Sequence, residues 1–506
     1  MDFRVGDQLG RHRAGAGSVI GMHTFRACAS KQSRARQRAV LAAALRPGGT
    51  GGFACRSVCR RLASSLAYAW VITLLVAHAQ DTRTVTEPKI PPSCTILEPS
   101  AADENKPDTQ RIQQAMDHCP PGQAVELKAS SNQTTFFTGP LQLRPSVTLL
   151  IDRGTILAAS RNPRDYDLQP GVCGTITERG HGCKAILNGD HVVGAAVMGD
   201  GVIDGRGGAK ILGQDITWWD LAEKARKGGI QNNPRILILS HCDNFTLYRI
   251  QLKDSPNFHV SYNSGNGFTA WGVIVNAPRN ARNTDAIDPG NATNVTITHC
   301  FIHTGDDNVA IKAPAGAPTT HMTIAHNHFY SGHGMSIGSN TDGGASAIRV
   351  SDLSIDGADN GLRIKSNTSR GGLVHDVEYE DVCIRSTKNP ILMDSNYTAS
   401  VGKDTDKLPV FTDIRLKNVR VLDGGKVTLV GYDATHRLGI QFDSVNLDAA
   451  TKISAAHADI LLGPGTANFR PSGQDVKVEG SPGKGTANAC VGKFVPFPVP
   501  ISTKRQ

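Results

Sequence analysis

Aromatic residues make up only 5% of this 506-residue sequence, against 53 glycines. A core with so few rings must be filled by small and branched aliphatics, on short strands with tight glycine corners. No helical run is long enough to build a βαβ fold. No clear ladder of Asn-Gly turns marks the hairpins of a β-sandwich, which is the second choice of fold. The apolar run from Leu66 to Ala77 falls short of the ~20 residues of a membrane span. The cysteines lack zinc spacing, and no loop has the ligand spacing of a Ca²⁺ site, so no metal and no cofactor is expected. A basic patch with interleaved aromatics is also missing, which argues against a nucleic-acid partner.

Acidic residues are scarce at the start of the chain. Residues 1–79 hold 12 Lys or Arg and two acids, a net charge of +10, while the whole chain carries +9. The sequence pI near 9.0 therefore belongs to this leader. It ends in Arg60-Arg61, the Leu66 to Ala77 run, and Ala77-His78-Ala79, a small-x-small site before Gln80. That is the pattern of a secretion signal. The expected layout is a basic leader over 1–79, with its true start expected near Val58 and a genuine extended leader as the alternative, and one catalytic domain over 80–506. A secreted, extracellular monomer with no stable membrane insertion after signal removal is expected.

Beyond the leader lie eight cysteines, an even number that permits disulfides after export. Proximity favours Cys94 with Cys119 and Cys173 with Cys183. Cys242, Cys300 and Cys383 fall in strand patterns and read as buried thiols. Asp108 is a candidate N-cap for a short helix with Ile112, Ala115 and Met116 on one face, suited to covering the open end of a solenoid. Strands are expected at Val147 to Ile151, Val192 to Met198, Arg235 to Leu239 and Phe245 to Leu252.

Against this background one column stands out. The segments Asp285-Ala-Ile-Asp, Asp307-Asn-Val-Ala-Ile, His333-Gly-Met-Ser-Ile and Asn360-Gly-Leu-Arg-Ile align, which puts Asp285, Asp307, His333 and Asn360 in register at intervals of 22, 26 and 27 residues. A polar column with that period suggests one coil per repeat. Parallel strands stack about 4.8 Å apart, so the column brings two carboxylates and an imidazole together on one face. Carboxylates that close repel, and one pKa rises, a cost usually borne for catalysis. Read singly, each motif is also what turns use. Coils of 22 to 28 residues with three or four short strands predict an all-β, right-handed, single-stranded parallel β-helix with a short N-terminal cap helix.

The ordered set Asn283-Thr284-Asp285, Gly305-Asp306-Asp307, Gly332-His333-Gly334 and Arg363-Ile364-Lys365 resembles the polygalacturonases of glycoside hydrolase family 28. Gly201 to Gly207 and Ser255 to Val260 extend the resemblance, which covers roughly 94–490. The glycine-rich loop from Cys173 to Cys183 is most similar to bacterial endo-acting members. The resemblance implies cleavage of α-1,4-galacturonosyl bonds by inverting acid/base catalysis. It implies Asp306 as general acid, Asp285 and Asp307 on the attacking water, and His333 tuning the acid. It also implies Asn283, Arg363, Lys365 and Tyr397 on the substrate, an acidic polysaccharide. Asp307 is expected to raise the pKa of its neighbour Asp306 and keep it protonated. Asp306 can reach the cleft only if Gly305-Asp306 lies on a bend, because consecutive strand residues point to opposite faces.

Arg363 and Lys365 alternate around Ile364, so both should face away from the core and meet substrate carboxylates. Asp288, Asp254, Asn257 and His259 are further candidate contacts. Trp218 and Trp219 could form a sugar wall, although packing is the plainer reading. An exo-acting enzyme, a rhamnogalacturonan hydrolase, a pectate lyase and a non-catalytic glycan-binding β-helix are the alternatives.

Overall fold

Short aliphatic strands separated by polar corners bury their side chains by winding into a coil. In the computed structural model, which describes residues 80–100, 103–397 and 406–502, the chain forms a right-handed parallel β-helix. Among the described residues, 32 strands join in one continuous ladder. Outside it, Ile176–Thr177 and Ile230–Gln231 pair antiparallel. The described residues fall in one compact unit, and the basic leader and secretion signal expected over 1–79 lie outside the described residues. No helix among the described residues is long and apolar enough to cross a membrane.

Three faces run along the coil. One stacks Val147–Ile151, Ala196–Met198, Phe245–Tyr248, Asn266–Trp271 and Thr293–Thr298. A second stacks Val202–Asp204, Gln251–Lys253, Ile274–Asn276 and Phe301–His303. The third stacks Val260–Asn263, Ile287–Gly290, Val309–Ile311, Met335–Gly338, Asn360–Lys365 and Asn389–Asp394. Inward residues pile in register: Leu247, Ala270, Ile297, Ile324 and Val350 pair in sequence and are fully buried. So do Ile287, Val309, Met335, Leu362 and Ile391 on the third face. Each large aliphatic in such a stack contributes about 1.5–3 kcal/mol.

Corners interrupt what looked continuous in sequence. Phe245 to Leu252 is two strands, split at Arg249, whose φ is +64°. Conversely, Thr319–Phe329 serves two faces and turns between them at His326, with φ +57°. Val192 to Met198 shortens to Ala196–Met198, and Arg235 to Leu239 becomes Leu237–Ser240. The cap helix is Thr109–His118, with Ile112 and Met116 buried. Asp108 stands at its N-cap but does not cap it with its side chain; Arg111 binds that carboxylate instead. A second helix, Trp218–Lys224, forms in addition to the expected cap helix. Thr217 and Asp220 cap each other's backbone there. Trp218 and Trp219 are buried against the coil, and the Trp219 indole donates to the Ser255 carbonyl at 2.9 Å, so neither is a sugar wall.

Cys94–Cys119 and Cys173–Cys183 are disulfides. The reading of Cys383 as a buried thiol is overturned: it is bonded to Cys490. Cys242 and Cys300 are buried and free.

Candidate active site

The aligned column is real in the register. Ile287 pairs with Val309, Val309 with Met335, and Met335 with Leu362, which sets Asp285, Asp307, His333 and Asn360 side by side. The strand stops just before it. Residues 305 and 306 form a bend, and Asp306 and Asp307 line the same cleft, of about 990 Å³. Gly305 is required there because a Cβ would sit 2.2 Å from the Ala281 carbonyl oxygen. Its N–H donates to Thr284 Oγ1 at 2.9 Å, and that hydroxyl donates to the Ala281 carbonyl at 2.8 Å. From inside, buried Asn308 ties the bend to the next coil, donating to Ser331 O at 2.7 Å and accepting from Gly334 N–H at 2.9 Å. Gly332 lies at φ +122°, where a Cβ would meet the Asp306 carbonyl oxygen at 2.5 Å. These contacts account for Thr284, Gly305 and Gly332 within the three motifs.

The four carboxylates differ sharply. Asp307 is 1% exposed. It accepts from Ser336 Oγ at 2.7 Å, Lys365 Nζ at 2.9 Å and Arg363 Nη1 at 3.3 Å. Burial pushes its pKa up, but Lys365, Lys312 and Arg363 outweigh burial and hold it far below the usual carboxylate range. Asp306 accepts from the Asp307 N–H at 2.9 Å and lies 3.0 Å from His333 Nδ1. Its pKa is lowered, not raised as expected from Asp307. Burial and the Asp307 charge do push it up, but the His333 hydrogen bond and the His333 and Lys365 charges prevail. His333 shows the converse: burial lowers its pKa, and Asp306 brings it above the ordinary value. Each group favours the charged form of the other across their 3.0 Å contact.

Asp285 and Asp288, 3% and 4% exposed, shift the other way. Burial, then the charges of Asp306 and Asp288, raise Asp285 well above its ordinary value. Burial pushes Asp288 up to about 7. Asp285 Oδ1 and both Asp288 oxygens have no hydrogen-bond partner.

The remaining candidates divide. Asn283 lines the cleft at φ +56° and accepts from Gln231 Nε2 at 3.0 Å. Lys365 and Tyr397 line it too, with Lys365 Nζ 5.5 Å and Arg363 Cζ 5.3 Å from the Tyr397 ring. Arg363 and Lys365 are each 6% exposed, so they do not simply stand outward; their charges are committed to Asp307. Asp288 is in the cleft, whereas Asp254, Asn257 and His259 are not among its lining residues. Asp254 holds Ser502, and buried His259 lies 3.1 Å from the Asp285 carbonyl. Sequence reasoning missed Arg226, Arg235, Arg279, Arg282, Lys312 and Arg370, which make the wall basic. Arg279 and Arg282 sit in the loop before Asn283, and that proximity was the available signal.

Asp306, Asp307 and His333 bring three ligand-type atoms within 4.8 Å of one another. Each already has a protein partner, and Lys365 and Arg363 supply the positive charge, so the group is not assigned as a metal site. A second set, Asp190, His191 and His241, is fully on the surface.

Residues 128–460 match the model for glycosyl hydrolases family 28. The chain is 39% identical over 456 residues to a polygalacturonase of Ralstonia nicotianae, covering 78% of this chain and 85% of that protein. It is 42% identical over 373 residues to an endo-polygalacturonase of Pectobacterium carotovorum subsp. carotovorum, covering 73% and 90%. Among solved structures, the polygalacturonase from Erwinia carotovora ssp. carotovora superposes with a TM-score of 0.72 at 41% identity, over 75% of this chain and all of that one.

Proposed function

The chain belongs to glycosyl hydrolases family 28, and from that premise we propose that it hydrolyses α-1,4-galacturonosyl bonds within polygalacturonan chains. It is a glycoside hydrolase; endo action agrees with the endo-polygalacturonase it resembles. The observation that carries the reading is the split in protonation among carboxylates around one basic cleft. Hydrolysis of a glycosidic bond needs a proton donor and a base. The Asp306–His333 pair retains a proton; His333 returns it across their hydrogen bond to Asp306, which hands it to the leaving oxygen. Asp285, with its raised pKa, is the stronger base and takes the proton of the attacking water. Asp307, held ionised by Lys365 and Arg363, orients that water. Attack by water gives single displacement with inversion. Substrate carboxylates fall to Arg226, Arg279, Arg282 and Arg370 along the wall. Tyr397 and Asn283 border the sugar. Secretion belongs to the same proposal, supported by the signal-like segment ending at Ala79.

The test measures viscosity and new reducing ends together on polygalacturonate. A steep viscosity drop with few new ends is expected. Release of single sugars without that drop would mean exo action. New ultraviolet absorbance from an unsaturated product would mean a lyase, and no new ends after long incubation a binding protein.

A further inference from the structure

Four carboxylates crowd the cleft, and their counter-ions are unevenly shared. Lys365 and Arg363 serve Asp307, and His333 serves Asp306. Among the described residues, the cation within 4 Å of Asp285 and Asp288 is Lys312. We propose that Lys312 is a positioning residue for the base: its ammonium, 3.6 Å from Asp285, 3.8 Å from Asp288 and 3.7 Å from Asp307, draws the Asp285–Asp288 pair toward its ionised form and holds it turned toward the reacting water.

The surroundings support this. Asp285 and Asp288 have oxygens without hydrogen-bond partners, so Lys312 is what offsets their charge locally. Arg235 adds a favourable field, but its guanidinium is spent on Ser261 Oγ at 3.0 Å and the Phe258 ring at 4.6 Å. Asp306 lies behind, adding negative charge. The Lys312 backbone is fixed without its side chain: its N–H donates to Pro289 O at 2.8 Å, and its carbonyl accepts from Thr319 Oγ1 at 2.7 Å. The ammonium is therefore replaceable without dismantling the coil.

The inference rests on the hydrolase reading for its role and is tested in two ways. The pH dependence of kcat is measured for wild type, Lys312→Met and Lys312→Arg. Removing a cation this close raises a carboxyl pKa by on the order of one unit. The base then stays protonated to higher pH. The Met variant should shift its acidic limb upward by that amount and lose about tenfold in rate on the acid side, with its alkaline limb unmoved. Arg should restore the limb. A uniform rise in KM with an unmoved acidic limb would make Lys312 a substrate contact and overturn the proposal. The second measurement needs no substrate: infrared titration of protonated carboxyls in Lys312→Gln against wild type, where the Gln variant should hold protons to higher pH. Identical titrations overturn the proposal whether or not wild type cleaves polygalacturonate, while an inactive wild type with shifted titrations sinks only the hydrolase reading. Loss of fold in both Met and Gln variants would make Lys312 structural and overturn it as well.

Discussion

The contact between Asp306 and His333 makes their protonation a joint property. Asp306 is lowered and His333 raised because each stabilises the other's charged form, so their apparent values belong to the couple. In the proposed mechanism Asp306→Asn removes the oxygen that delivers the proton, and kcat should fall about 10² to 10⁴-fold with the melting temperature little changed. Turnover near wild type would take Asp306 out of the acid role. For His333→Ala the sign follows from the pair. The raised imidazole pKa sets the pH above which the pair's proton is lost, and without it Asp306 alone must hold that proton. The alkaline limb of the pH–rate profile should move toward acid, and an unmoved limb with lower rate would leave His333 as a substrate contact. The shared column of Asp285, Asp307 and His333 was legible because its coil register recurs in the sequence, whereas Asp306 was named by resemblance. The commitment of Arg363 and Lys365 to Asp307 was not, since alternation gives a side chain's direction and not its partner. Lys312 and Arg235 were missed because single cations at strand ends carry no motif.

At the scale of elements, the bend is what lets neighbours share a cleft. Asp306 and Asp307 would point apart on a regular strand. The close approach of the Ala281 and Pro278 carbonyls to Gly305 enforces the break, leaving 2.2 and 2.7 Å for a Cβ. Gly305→Ala should therefore cost about 1–3 kcal/mol of stability by overpacking. It should also cut kcat more than KM, as the Asp306 carboxyl leaves its line; circular dichroism melts and steady-state kinetics together check this. An alanine variant with wild-type kcat would mean the bend has slack. The third face was legible in its repeating aliphatics: the aligned segments ending in Ile311, Ile337 and Ile364 fall on the strands Val309–Ile311, Met335–Gly338 and Asn360–Lys365. The corners were harder. Arg249, His299, His326, Asp352 and Asp381 adopt left-handed backbone at φ between +48° and +64°, and such residues give no warning in composition. Trp218–Lys224 was missed for another reason: seven residues are too few for a helical period to show.

For the whole molecule, a solenoid's weakness is that each coil touches only its neighbours and can unravel from an end. The C-terminal segment counters that. From Cys490, bonded to Cys383, it runs back across successive coils. Phe494 stacks under Arg385, Lys493 binds Asp352, and the Val495 carbonyl accepts from Tyr330 at 3.0 Å. Phe497 packs on Tyr330 and His303, the Pro500 carbonyl accepts from Asn276 at 2.8 Å, and Ser502 reaches Asp254. The strap thus ties coils to one another that share no direct contact. Its anchoring disulfide closes a span of 107 residues, which no proximity argument in the sequence could pair, and a loop of that length restricts the unfolded chain strongly. Cys490→Ser should lower stability by about 2–4 kcal/mol. It should also broaden the unfolding transition, because the end coils no longer melt with the centre. Reduced wild type should match the variant, and kcat should hold at temperatures where both are folded, since residues 490–502 are absent from the cleft lining. Denaturant curves of equal midpoint and slope for oxidised wild type and variant would show that the strap holds without its bond.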